Sequence, residues 1–232
     1  MLQYLSFVSE QEITEWIKKH IHSEDKILSA GYQGKTLLFY EKDHKLVIKV
    51  PLGNLFTRPI NRALLRHEYR VYQKLENFDA VPICYGLVNN EYLVIEYIEG
   101  KTIRQCQLNP DSEYFVKLLA AIKEMHLRGV AHFDLKRSEN LLVMEGDEPI
   151  LIDFGVSIIK KNRFHWLNNK LFKLAKQFDF NAWARHKYQK KMHLINQEDR
   201  QYYNKTRVEI FSKKIKRFYK DKFKGLFRSR QK

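Results

Sequence analysis

The chain has 232 residues, 44% of them hydrophobic, with 9 Gly, 5 Pro and 2 Cys. That composition suits one compact domain or two small lobes and excludes a collagenous, low-complexity or disulfide-stapled chain. No uncharged run reaches the ~18 residues of a membrane-spanning helix, and the start lacks a basic-then-apolar leader, so a soluble protein of a reducing cytoplasm is expected.

The net charge of +15 is unevenly placed: residues 1–155 carry 19 Lys+Arg against 22 Asp+Glu, and residues 156–232 carry 23 against 5. A near-neutral body with a strongly basic end looks for an anionic partner, nucleic acid or an acidic membrane face.

Ser9-Glu-Gln-Glu12, followed by Ile13, Trp16 and Ile17, predicts a capped helix from Ser9 to His20. Short strands are expected at Ile27–Ser29, Thr36–Glu41 and Leu46–Val50. After Pro59, Leu64, Leu65, Tyr69, Tyr72 and Leu75 recur at helical steps. Strands at Val81–Tyr85 and Tyr92–Ile98 flank an Asn89-Asn90 turn. A long apolar helix then runs from Asp111 to Arg128 and stops at Gly129. Strand-like runs at Asn140–Val143 and Pro149–Ile152 follow, and from about Phe164 the pattern is helical only. Strands first and helices afterwards predict a two-lobed α+β architecture.

Gly31 and Gly34, between two predicted strands, would let backbone N–H groups approach phosphate oxygens, or simply form a hairpin turn. Lys49 lies on an otherwise apolar strand; buried, it requires an anion, and Glu68 on the next helix is a candidate. In Val130-Ala-His132-Phe-Asp134-Leu-Lys136-Arg-Ser-Glu-Asn140, polar side chains crowd one strand-flanked loop. Asp153, between an apolar run and Phe154-Gly155, suits a metal ligand at a sharp turn. Asp and Asn are hard oxygen donors, appropriate for Mg²⁺ held together with phosphates.

Over about residues 25–158 these motifs, in this order, resemble the eukaryotic-type protein kinase superfamily. The resemblance implies a bilobal protein-kinase-like fold, with a small sheet-rich N-lobe over about 1–98 and a reduced helical C-lobe over 99–204. It also implies ATP and Mg²⁺ as cofactors. Lys49 would hold the α- and β-phosphates with Glu68 as its partner, and the backbone of Glu96 to Ile98 would receive the adenine. Asp134 would accept the substrate hydroxyl proton, and Lys136 would lie near the transferred phosphoryl group. Asn140 and Asp153 would bind metal, with Gly31 and Gly34 in the phosphate loop.

The sequence departs from the family pattern at four places. Ser29 replaces the first glycine of the phosphate loop. Phe133 replaces an arginine that reads activation-segment phosphates. One extra residue separates Asp134 from Asn140. No Ala-Pro-Glu motif follows Gly155, and 77 residues remain after it. These features resemble atypical branches: RIO kinases, small archaeal-type kinases and bacterial lipopolysaccharide core kinases. There an Asp of the Phe178-Asp179-Phe motif would brace the catalytic loop; a plain amphipathic helix is the other reading.

Residues 205–232 hold 12 Lys+Arg, with Phe211, Ile215, Phe218, Tyr219, Phe223, Leu226 and Phe227 on one helical face. Ile158 to Phe180 repeats that theme. A helix on an anionic membrane surface is the expected role, with docking on the protein's own core and an RNA- or ribosome-contacting tail as alternatives. The expectation is therefore an ATP-dependent kinase acting on a hydroxyl. The preferred acceptor is a lipid-linked sugar, such as lipopolysaccharide core, at the inner face of the cytoplasmic membrane. A Ser/Thr protein kinase and a pseudokinase binding module are the alternatives.

Overall fold

The computed structural model describes residues 7–31, 34–41 and 44–206, so the expectations for residues 207–232 lie outside the described part. Helix α1 (Glu10–His20) opens with a reciprocal cap. The Ser9 hydroxyl accepts the Glu12 N–H at 3.2 Å, and the Glu12 carboxylate accepts the Ser9 N–H at 2.7 Å. Its buried stripe, Ile13, Trp16 and Ile17, covers one face of a sheet.

Strands β1 (Ile27–Ala30), β2 (Gly34–Glu41) and β3 (His44–Pro51) precede helix α2 (Thr57–Lys74), and β4 (Cys84–Val88) and β5 (Tyr92–Glu96) follow it. They form one antiparallel sheet in the order β1-β2-β3-β5-β4. Alternation along β3 divides its side chains between two cores. Leu46, Ile48 and Val50 pack beneath α1, while Val47 packs with α2 against the larger core. Lys49 therefore emerges on the inner face, where α2 passes.

Beyond β5 the chain forms β6 (Lys101–Thr102), helix α3 (Glu113–Leu127) and β7 (Val130–Ala131), then β8 (Leu141–Val143), β9 (Pro149–Leu151) and β10 (Ile158–Ile159). Helices α4 (Trp166–Lys187) and α5 (Gln197–Arg200) close the described part. Gly129, at φ 78°, ends α3 in the left-handed conformation that glycine adopts without strain. The principal core joins both halves: Tyr72 of α2 and Leu75 just past its end, Phe115 and Leu118 of α3, Phe154, and Trp183 of α4. The Trp183 indole N–H donates to the Phe115 carbonyl at 2.8 Å, locking α4 against α3.

The observed elements correct two expectations and add three short strands. The strand expected at Val81–Tyr85 is at Cys84–Val88, because Pro82 has no N–H to give a ladder and Val81 is buried from a turn instead. β6, β7 and β10 are two residues each, too short to show a period. Ile158 to Phe180 is not one amphipathic helix: it begins as β10, paired with β7, and becomes helical at Trp166. Phe172 and Ala175 there are core residues.

Candidate active site

Lys49 Nζ lies 2.6 Å from Glu68 Oε1 and 3.1 Å from Asp153 Oδ1. The same Glu68 oxygen accepts the Phe154 N–H at 3.1 Å. Burial opposes the charge on Lys49, but the two carboxylates outweigh it and hold the ammonium above its ordinary value. Burial likewise opposes the charge on Asp153, and the Lys49 ammonium outweighs it, keeping that carboxyl below the usual range. Both groups are therefore ionised at neutral pH. Asp153 occupies the left-handed region at φ 67°, which turns its carboxylate out of the apolar run before it.

The loop between β7 and β8 is fixed by α4. Asp179, fully buried, accepts the N–H groups of His132 and Phe133, each at 2.8 Å, and contacts His126 Nε2 at 3.0 Å. His132 in turn contacts the Ile152 carbonyl at 2.9 Å, linking this loop to the Asp153 turn. Burial holds His186 below its ordinary value, so its neutral ring donates Nε2–H to the Leu135 carbonyl at 2.8 Å. Thus the bracing geometry expected of Asp179 is present. The roles of His132 and His186 were not read from sequence: His132 figures there only as part of the Asp134 loop, and His186 sits in no pattern that marks it.

Asp134 faces a cavity of about 430 Å³ also lined by Gly31, Gly34, Lys49, Glu68, Arg137 and Asp153. Desolvation raises the Asp134 carboxyl above 3.8, with Arg137 the strongest opposing influence. Lys136 is exposed and does not line this cavity, whereas Arg137 does, with Nε 4.0 Å from Asp134 Oδ2. The extra residue between Asp134 and Asn140 shifts which cation turns inward. Sequence reasoning singled out Lys136 and passed over its neighbour.

Gly31 N–H donates to the Gly34 carbonyl at 3.0 Å, closing the β1–β2 turn. A side chain at Gly34 would collide with the Val50 carbonyl, so only glycine lets β2 approach β3 there. Glu96 turns its side chain away, accepting the Ile83 N–H at 3.0 Å, and Ile98 is half-buried just beyond β5. Neither side chain lines the cavity, so only their backbone remains available to a ligand.

The donor set fits Mg²⁺. Asn140, buried and not among the residues lining the cavity, uses its amide N–H₂ on the Asp134 carbonyl at 3.2 Å, which leaves the amide oxygen as the atom that could act as a ligand. Its backbone carbonyl accepts the N–H of Ile152, the residue before Asp153, at 3.1 Å. Two hard oxygen donors from protein suit an ion whose other ligands are phosphate and water.

A protein kinase domain model matches residues 22–175. The chain is 36% identical over 121 residues to "Probable serine/threonine-protein kinase fnkB" of Dictyostelium discoideum, covering 45% of this chain and 23% of that protein. It is 34% identical over 149 residues to serine/threonine-protein kinase D of Synechocystis, covering 56% and 29%. The chain thus spans less than a third of either relative. In structure it resembles the Rio2 kinase–ADP/Mg²⁺–phosphoaspartate complex of Chaetomium thermophilum, with a TM-score of 0.55 and 16% identity over 83% of this chain and 67% of that one. That likeness establishes a protein-kinase-like fold. Because the domain model spans well over half of the sequence and contains the Lys49 clamp and the Asp134 loop, this chain belongs to the protein kinase domain family.

Proposed function

We propose that this chain is an ATP- and Mg²⁺-dependent phosphotransferase that moves the γ-phosphate to a hydroxyl group. The observation that carries the reading is the Lys49 ammonium, held between Glu68 at 2.6 Å and Asp153 at 3.1 Å, in a cavity that also presents Asp134. Lys49 positions the α- and β-phosphates. Asp153 and Asn140 would hold Mg²⁺, which when bound would neutralise charge at the phosphate oxygens. Asp134 orients the acceptor hydroxyl and receives its proton as the new P–O bond forms and ADP departs. Arg137, rather than Lys136, offsets the charge on the moving phosphoryl group.

The acceptor we favour is a lipid-linked sugar, such as lipopolysaccharide core, presented at an anionic membrane face. Two features support it. Residues 156–165 alone connect the Asp153 turn to α4, so no long peptide-docking segment intervenes. The positive charge is concentrated beyond residue 155. A second reading, an atypical Ser/Thr protein kinase, is favoured by the names of the curated relatives and the Rio2-like fold. RNA or the ribosome would then be the partner of the basic end.

The test is transfer of γ-labelled phosphate by the purified chain with Mg²⁺, offering a lipid-linked core sugar and a generic Ser/Thr protein substrate in parallel. Label on the sugar, absent with Lys49→Met, supports the first reading. Label on the protein alone supports the second, and no ATP turnover at all refutes phosphotransfer.

A further inference from the structure

The exposed apolar side chains of this protein are not scattered evenly. Leu167, Leu171, Leu174 and Phe178 follow one another on α4 at steps of four, three and four, which places them on a single stripe of the helix. At its inner end Phe178 packs edge-on against Phe133, with ring centroids 5.1 Å apart, and Phe133 is the residue before Asp134. At its outer end Leu171 and Leu167 are exposed, and Trp166, the first residue of α4, and Phe164 before it add exposed aromatic surface at the helix start. An apolar path thus leads from the surface to the side of the catalytic loop.

The surroundings of this path are basic. Residues 156–178 contain six Lys+Arg and no Asp or Glu. Lys170 Nζ lies 4.7 Å from the centre of the Trp166 ring, and the Arg163 guanidinium lies 5.1 Å from that of Phe164. Lys160, Lys161 and Arg163, with Lys173 and Lys176 from the flank of α4 opposite the leucine stripe, line one groove of about 890 Å³. None of these cations has an ion-pair partner among the described residues.

We infer that this ridge is a membrane-docking face, on which the folded body itself rests against an anionic lipid surface. Leucines, Phe164 and Trp166 enter the headgroup–acyl boundary, and Arg163 and Lys170 beside them meet the lipid phosphates. Exposed apolar side chains at the start of α4, with Arg163 and Lys170 beside them and the cationic groove on the other flank of the helix, match that boundary in both layers: hydrocarbon within, negative charge at the rim. The docking is distinct from whatever residues 207–232 contribute. It deepens the membrane-presented acceptor proposed above and rests on that reading only for the direction in which Asp134 faces.

Trp166 provides a direct probe. It is 59% exposed, whereas Trp16 and Trp183, the other two tryptophans, are 7% and 1% exposed. The full chain is mixed with vesicles of equal parts phosphatidylglycerol and phosphatidylcholine, with or without brominated acyl chains. Binding is followed by co-sedimentation, and tryptophan emission is recorded alongside.

The expected result is a blue shift and quenching by brominated lipid, both lost in Trp166→Phe. Leu167→Glu with Leu171→Glu should weaken vesicle binding about tenfold or more, since two buried leucines are replaced by charges at the interface. Its thermal melting and vesicle-free ATP turnover should remain as in the parent chain, which separates failed docking from failed folding. Sedimentation with unchanged tryptophan emission, and no effect of the double substitution, would assign all binding to the tail and overturn the inference. Equal binding to pure phosphatidylcholine, or no binding to anionic vesicles, would overturn it as well. Lost ATP turnover with an intact tryptophan response would count against phosphotransfer and leave the docking face standing.

Discussion

The buried carboxylate of Asp179 accepts the backbone N–H of Phe133 at 2.8 Å, and Phe133 is held in the left-handed region at φ 69°. A bulky residue adopts that conformation only when its surroundings over-determine it. Asp179→Ala removes the acceptor for two buried N–H groups, each costing about 1–3 kcal/mol when unsatisfied. Thermal melting should drop clearly. Asp179→Asn keeps the shape but turns an amide N–H₂ toward one of those donors, so transfer should fall while secondary structure persists. Circular dichroism and turnover measured on both variants check this.

Lys49→Met should lower phosphate transfer by at least about 100-fold, the scale of losing one preorganised electrostatic contact. Glu68→Gln should cost less, because the amide oxygen still accepts from Lys49 or from Phe154 but no longer as an anion. Equal losses in the two variants would mean that Glu68 does more than hold the lysine. Single-turnover rates at saturating ATP distinguish the cases.

Asp153→Asn should nearly abolish transfer and shift the Mg²⁺ requirement upward, because a neutral amide is a weaker ligand for a hard cation. The same change releases Lys49 from one of its two carboxylates. A Mg²⁺ titration of the parent and variant chains reads the shift directly, and an unchanged titration would contradict metal binding at this residue.

Asp134 works ionised, and its carboxyl lies above 3.8 in the folded chain. Activity should therefore be lost as pH falls through a value higher than that of an ordinary aspartate. Arg137 is the strongest influence pulling it down, and Lys136 the weakest of those named. Arg137→Ala should accordingly move the acid limb of the rate profile to higher pH and slow transfer markedly. Lys136→Ala should do little to either. A profile in which Lys136→Ala has the larger effect would restore the role suggested by family spacing.

No arginine stands at position 133 to read an activation-segment phosphate, and Phe133 packs on Phe178 instead. The chain should therefore be active as synthesised. Phosphatase treatment of the purified protein, followed by a turnover assay, should leave its rate unchanged.

Much of this was legible in the sequence because it is periodic or because spacing fixes it. The Ser9 cap, the alternation that turns Lys49 inward and the strand-flanked Asp134 loop all follow from local chemistry. What escaped was set by tertiary context. Arg137 and Lys136 are adjacent and equally basic, and only the path of a loop with one extra residue decides which enters the cavity. His186 was silent because a histidine on an amphipathic helix gives no sign that the Leu135 carbonyl awaits it. The two-residue strands β7 and β10 owe their pairing to the chain around them, not to their own pattern.

One oxygen, Oε1 of Glu68, holds both Lys49 from the sheet and the Phe154 N–H from the other half of the molecule. It acts as a coincidence detector: both bonds are satisfied only when α2, β3 and the Asp153 turn stand in register together. A ligand that levered α2 outward from behind would break both bonds in one movement. Such an antagonist would silence the Lys49 cleft from a separate site, and nucleotide held by Lys49 would in turn oppose its binding.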